Sequence, residues 1–285
     1  MNNIDQLVHI TVRIETSGPN GFGSGTGFFL LLCSDDNGHV PVIVTNKHVI
    51  KNAETGHFVM TQAKAADASE PIPGENVSIP LDQFESRWLQ HPNPHVDLAV
   101  MPIAPILEEA ARRKTPVFYR AMTSQLVATD DDLKNLNAIE DILMIGYPSG
   151  LWDAKNNTPI VRKGITATPP ANRFNGQPEF VIDCACFPGS SGSPVLLFNP
   201  SGYVDKQGNT MMGGSRVKLL GVLWGGPQYN AVGELHVVPI PTSHAESKKV
   251  ALSQIPMNLG YCVRAEELRW FEEHFEAKIA ELKVA

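Results

Sequence analysis

The chain has 285 residues, 42% hydrophobic and 19% charged, which suits a folded protein with a sizeable core in one large domain or two halves. Its formal charge of −7 argues against a role on nucleic acid or on an anionic membrane surface. No run approaches the ~18 apolar residues of a membrane span. The first residues, MNNIDQLVHITVRIETSG, have neither a basic start nor a signal-peptide core, so the expected location is the cytoplasm.

Many short β-rich runs, with 23 glycines and 22 prolines between them, favour an all-β architecture. Residues 6–16 alternate apolar and polar side chains and read as a first strand. A glycine turn leads to TGFFLLLC, and VPVIVTNKHVI forms a third strand that gives way near His48. HFVMTQA, VSIPL and DLAVMPI complete a set of about six, with KAADASEPIPGEN read as a polar loop. APILEEAARRK carries a proline near its start and reads as a short helix at the boundary between two halves.

The second half is expected from about residue 114. PVFYRAM is a weak strand and TDDDLKNLNAIED a turn with a helical piece. EDILMIGYP, PIVRKGITATPP, PEFVIDCAC, SPVLLF, VKLLGVLWGG and NLGYCV follow as strands. Residues 227–257 show no clear periodicity and read as a long loop, functional or merely exposed. From Arg264 onward the spacing of Leu268, Phe271, Phe275, Ile279 and Leu282 gives one apolar helical stripe, docked on the second half. Cys184 and Cys186 share a strand face, poor geometry for a mutual disulfide, and with Cys33 and Cys262 they read as buried thiols in a reducing compartment. No C-x-x-C or H-E-x-x-H spacing occurs, and neither metal nor cofactor is expected.

The chemistry concentrates in CACFPGSSGSP, residues 184–194, where Gly189 to Pro194 fits G-x-S-G-x-P between two apolar runs. A serine nucleophile must project from a turn, and backbone N–H groups around it must converge on an oxyanion. Glycines allow that close approach, although a Gly/Ser-rich hairpin loop would look similar. A base and an orienting acid are then needed. His48 sits where a strand yields to a turn, and Asp97 leads directly into an apolar strand, giving the order His48, Asp97, Ser191.

TNKHVI, HVDLAVMPI and FPGSSGSPV together resemble the three catalytic blocks of the trypsin-like (chymotrypsin-fold) serine proteases, in that family's order. GSGTGFFLLL is similar to the strand before the histidine block in the bacterial HtrA-like branch, without the PDZ domain of that branch. The resemblance implies two antiparallel six-stranded barrels, at about 1–113 and 114–262, with a C-terminal helix over 263–285 and the site in the cleft between them. It implies a general base (His48), an orienting acid (Asp97) and a nucleophile (Ser191), with an oxyanion hole from the N–H groups of Gly189 and Ser191. It also implies a primary pocket lined by Ala185, Cys186, Phe187, Trp224 and Gly225. No charge is evident among those residues, so small or medium apolar substrate side chains are expected, with Asp183 keeping a basic preference open.

Rivals exist for each role. His39, His57, His91 and His95 lie in or beside expected loops and read as solvated; His236 and His244 fall in the long loop, His9 on the first strand and His274 on the last helix. Asp67, Glu70, Asp82 and Glu85 compete with Asp97 from polar stretches, and Ser190 and Ser193 compete with Ser191. The expected activity is that of a serine endopeptidase on protein or peptide substrates, with no nucleic-acid or membrane partner. A protease-fold scaffold and an esterase using the same triad are the alternatives. Ser190 stands where digestive relatives carry an aspartate that pairs with a freed N-terminus. The expectation is therefore activity without an N-terminal cut, with order at Phe187 to Ser190 coming from loops at 151–160 or 227–257 that an activating partner could bias.

Overall fold

The computed structural model describes residues 4–35, 38–64, 68–235 and 249–284, and most of the regular structure is β. The first half begins with β1 (Thr11–Gly18), which turns tightly at Gly18–Gly21 into the long β2 (Gly21–Asp35). β2 pairs antiparallel with β1 and then with β3 (Gly38–Thr45), so one strand of fifteen residues belongs to two hairpins. A four-residue helix, α1 (Lys47–Ile50), ends that run; β4 (Thr55–Ala63) and β5 (Pro71–Asp82) form the other flank. β6 (Leu89–Gln90) and β7 (Ala99–Pro102) add to β3, and α2 (Ala104–Arg112) closes the unit with Pro105 in its first turn, as its sequence predicts.

Two expectations change here. β5 begins at Pro71, inside the stretch read as a polar loop. β8 (Val117–Phe118) and β9 (Met122–Thr123) were expected in the second half, yet β8 pairs with β4 and β9 with β2. The result is a nine-stranded sheet whose main path runs β5-β4-β1-β2-β3-β7-β6, and among the described residues it does not close into the expected six-stranded barrel.

The second half does close. After α3 (Asp130–Lys134), capped by a reciprocal Thr129–Asp132 box, come β10 (Asp141–Gly146), β11 (Ile160–Thr166), β12 (Glu179–Asp183) and β13 (Pro194–Asn199). A small hairpin, β14 (Gly202–Val204) with β15 (Thr210–Met212), precedes β16 (Arg216–Gly225). The expected long loop contains a further hairpin, β17 (Gln228–Leu235) with β18 (Lys249–Pro256), and residues 236–248, with His236 and His244, lie outside the described residues. β19 (Leu259–Arg264) completes a barrel in the order β10-β11-β12-β19-β16-β13. A 3-10 turn, Ala265–Leu268, leads into α4 (Arg269–Val284), so the helix starts a few residues later than expected.

One apolar core joins the halves: Phe28 and Leu30 of β2 pack with Leu196, Leu219, Val263 and Phe271. Leu268 and Phe271 of the predicted stripe are buried, whereas Leu282 is exposed, so the stripe fades along α4. His91, read as solvated, is buried instead: it meets Trp270 and Phe271 edge-on and anchors α4 to the first half.

Candidate active site

Three strand ends deliver the sequence-selected residues. Buried Val44 and Thr45 end β3, Asn46 has extended backbone at the helix N-cap, and α1 then presents His48 with its side chain about half exposed. Asp97 sits between fully buried Val96 and Leu98, which fix its direction. His48 Nδ1 lies 2.5 Å from Asp97 Oδ2. The His48 backbone N–H donates to Asp97 Oδ1 at 3.1 Å, and Asn46 Nδ2 donates to the Asp97 carbonyl at 2.7 Å. A carboxylate so held presents one oxygen to the imidazole and fixes its tautomer.

Ser191 lies on the turn between β12 and β13. Of the three competing serines, Ser190 and Ser193 are fully buried and only Ser191 is partly exposed. Gly189 and Gly192 flank it at φ +82 and +87. A Cβ on Gly192 would strike the Thr26 carbonyl, and one on Gly189 would approach the Tyr147 carbonyl at 2.7 Å, so both positions require glycine. The surrounding carbonyls are occupied: Ser149 N–H donates to Pro188 O at 2.5 Å and Thr26 Oγ1 to Gly189 O at 3.0 Å. Among the described residues the N–H groups of Gly189 and Ser191 have no backbone acceptor. The Ser191 hydroxyl donates to the Trp224 carbonyl at 3.2 Å and makes no hydrogen bond to His48.

The rivals fall away by position. His57 pairs with Glu15 at 2.7 Å, and His274 stacks on Trp270. Glu70 pairs with Lys64, Glu85 accepts from Asn52 N–H, and Asp82 is exposed; Asp67 lies outside the described residues. No cluster of three or more His, Cys, Asp or Glu that could hold a metal occurs among the described residues.

The five pocket candidates differ in exposure. Cys186 is buried, Ala185, Trp224 and Gly225 are partly buried, and Phe187 is exposed; none carries charge. The charge arrives from elsewhere in the chain. Arg162 on β11 donates from Nη1 to the Ala185 carbonyl at 2.7 Å and to Ser190 Oγ at 2.8 Å. Asp183 is exposed at the end of β12, one residue before buried Cys184.

Sequence reasoning also missed Thr26. Its N–H donates to Ser191 O at 2.8 Å, its hydroxyl bonds Gly189 O, and its carbonyl accepts from Thr45 Oγ1 at 2.7 Å. Its hydroxyl also accepts from Tyr147 N–H at 3.1 Å. The GSGTG pattern gave its place on a strand but carried no signal of these contacts.

The chain thus combines a closed β-barrel, a hydrogen-bonded His48–Asp97 pair and a glycine-flanked serine turn. The model of the trypsin-like peptidase domain matches residues 25–204, and the chain belongs to that family. No curated protein matches it. Among solved structures it is similar to the HtrA-type protease AlgW with tripeptide, at 16% identity and a TM-score of 0.48, covering 92% of this chain and 58% of that one. It is also similar to the serine endoprotease from Yersinia pestis, at 16% identity and a TM-score of 0.46, covering 95% of this chain and 64% of that one. The MamO protease domain from Magnetospirillum magneticum matches at 14% identity and a TM-score of 0.45, covering 94% of this chain and 98% of that one. The chain thus spans less than two thirds of the length of the first two.

Proposed function

We propose that the protein is a serine endopeptidase whose chemistry is carried by Ser191, His48 and Asp97. The observation that carries the reading is the 2.5 Å contact between His48 Nδ1 and Asp97 Oδ2, in a chain whose only partly exposed serine of the GSSGSP turn is Ser191. With Nδ1 committed to Asp97, Nε2 is the nitrogen left to accept a proton. Substrate entry turns the Ser191 hydroxyl from the Trp224 carbonyl toward that nitrogen; such bonds commonly tighten only in the complex.

Ser191 Oγ then attacks the scissile carbonyl carbon while His48 takes its proton, and the carbonyl oxygen becomes an oxyanion. The N–H groups of Gly189 and Ser191 receive that oxyanion, each worth about 3–4 kcal/mol to the transition state. Collapse expels the amine, which takes the proton from His48 and leaves an acyl-serine; water, activated by the same histidine, hydrolyses the ester. His48 and Asp97 come from the first half and Ser191 from the barrel, so the cleft between the halves receives a protein or peptide chain. The four free thiols suit a reducing compartment, and we assign the chain to the cytoplasm. Among the described residues no helix is long and apolar enough to cross a membrane.

The test is a cleavage map of a peptide library by the wild type and Ser191→Ala side by side, with an ester panel in parallel. Ser191→Ala removes one hydroxyl and should cost roughly 10⁴–10⁶-fold in turnover. Turnover within a few-fold of wild type removes Ser191 as the nucleophile, and ester cleavage without peptide cleavage makes the enzyme an esterase.

A further inference from the structure

β11 alternates: Val161, Lys163 and Ile165 are exposed, while Ile160, Arg162, Gly164 and Thr166 face inward. An arginine on the inner face of a barrel strand needs an explanation. Its guanidinium has five N–H donors. The Nη1 group is spent on Ala185 O and Ser190 Oγ, which clamps the two ends of the loop leading to the nucleophile. Nε and Nη2 are buried and meet no acceptor among the described residues.

These two groups form one edge of the guanidinium, the side-on fork that matches the two oxygens of a carboxylate. No protein carboxylate forms an ion pair with Arg162 among the described residues, and Asp183, the acid nearest in sequence to the loop, is exposed. The thiols beside it cannot neutralise it. Burial pushes Cys184 up and raises Cys186 to about 12, so both stay protonated at neutral pH. A buried, unneutralised cation is costly and is retained where something pairs with it.

We propose that the Nε–Nη2 edge of Arg162 selects substrates with glutamate or aspartate immediately before the scissile bond. This rests on Ser191 being the nucleophile and replaces the apolar preference expected from the pocket's own residues. Arg162 lies against Ser190, the neighbour of the nucleophile, and against Ala185, the residue at the base of the pocket by family resemblance. In the proposed complex the substrate side chain enters between 185–188 and the end of β16 and uncovers this edge. An acidic side chain supplies the missing acceptor, a glutamine supplies half of it without charge, and a leucine or lysine leaves the fork unpaired.

The experiment uses the whole chain and peptides that differ only before the scissile bond: Glu, Asp, Gln, Leu or Lys. Fluorophosphonate labelling of Ser191 is read in parallel. Wild type should prefer Glu over Gln by at least ~10-fold in kcat/KM. Arg162→Met should bring that ratio near one in the turnover that remains, because loss of the Ser190 clamp lowers cleavage of every peptide alike, and Arg162→Lys, with charge but no fork, should fall between. If wild type labels but cuts Gln or Leu as readily as Glu, the inference is overturned; the same holds if Arg162→Met keeps the ratio. If Arg162→Met fails to fold, the wild-type Glu-to-Gln ratio decides alone. If wild type does not label at Ser191, the underlying reading fails and takes this one with it.

Discussion

Asp97 is the residue whose geometry is most tightly specified, with one oxygen on the His48 ring, the other on the His48 backbone and its own carbonyl on Asn46. Asp97→Asn keeps the size but offers an NH₂ group to Nδ1 and favours the wrong imidazole tautomer. We predict a fall of about 10⁴-fold in kcat with little change in Tm; a loss under tenfold would show that the carboxylate does not orient the base. His48, Asp97 and Ser191 were picked out as candidates by their motif blocks and order: His48 follows an apolar run, Asp97 leads into one, and Ser191 sits at the centre of the glycine turn. Arg162 was not. Its strand reads V-R-K-G-I, and nothing in the alternation says that the polar side chain, rather than the apolar one, turns inward.

Among the elements, the serine turn and α4 make separate claims. Gly192 has φ +87 and no room for a methyl group against the Thr26 carbonyl. Gly192→Ala should destabilise the fold by more than ~1 kcal/mol and lower activity further by displacing Ser191; urea unfolding and kcat/KM read the two effects. α4 is held partly by His91, whose pKa is lowered by burial and then by the Lys47 ammonium. As pH falls below the ordinary histidine value of about 6.5, the unfolded chain takes up a proton that folded His91 resists, so stability is lost on acidification. Glu267, 3.9 Å from His91 Nε2, has its pKa raised by burial and works the other way: its contribution is present at low pH and lost as pH rises above the usual carboxylate range. His91→Phe keeps the aromatic contact with Trp270 without the titrating ring. Urea midpoints at pH 7.5 and 5.5 should separate more in wild type than in this variant, and equal separations would remove His91 as the acid-sensitive contact. Most strands were legible as alternating or continuous apolar runs, but the start of β5 and the β14–β15 and β17–β18 hairpins were not, and the pairing of β8 and β9 with the first sheet depends on long-range register. Local sequence carries no such information.

At the scale of the whole molecule, the two halves share one apolar core, and Thr26 links them beside the serine turn. Its hydroxyl bridges Gly189 O and Tyr147 N–H, and its backbone bridges Ser191 and Thr45. Thr26→Val removes only the hydroxyl, leaving a buried N–H and a loop carbonyl unpaired; we predict a stability loss of about 1–3 kcal/mol and a larger proportional loss in kcat/KM. Unchanged kcat/KM would mean that the oxyanion loop is ordered without the first half. We propose that this assembly makes Ser191 a nucleophile without an N-terminal cut, with Arg162 holding Ser190. The most direct measurement is fluorophosphonate labelling of the chain with its N-terminus blocked by an uncleaved tag, with the modified residue mapped by mass spectrometry in wild type and His48→Ala. The account predicts stoichiometric labelling confined to Ser191 in wild type and labelling slowed by orders of magnitude in His48→Ala. Labelling at another residue, equal rates in the two proteins, or labelling that appears only after an N-terminal cut would contradict it.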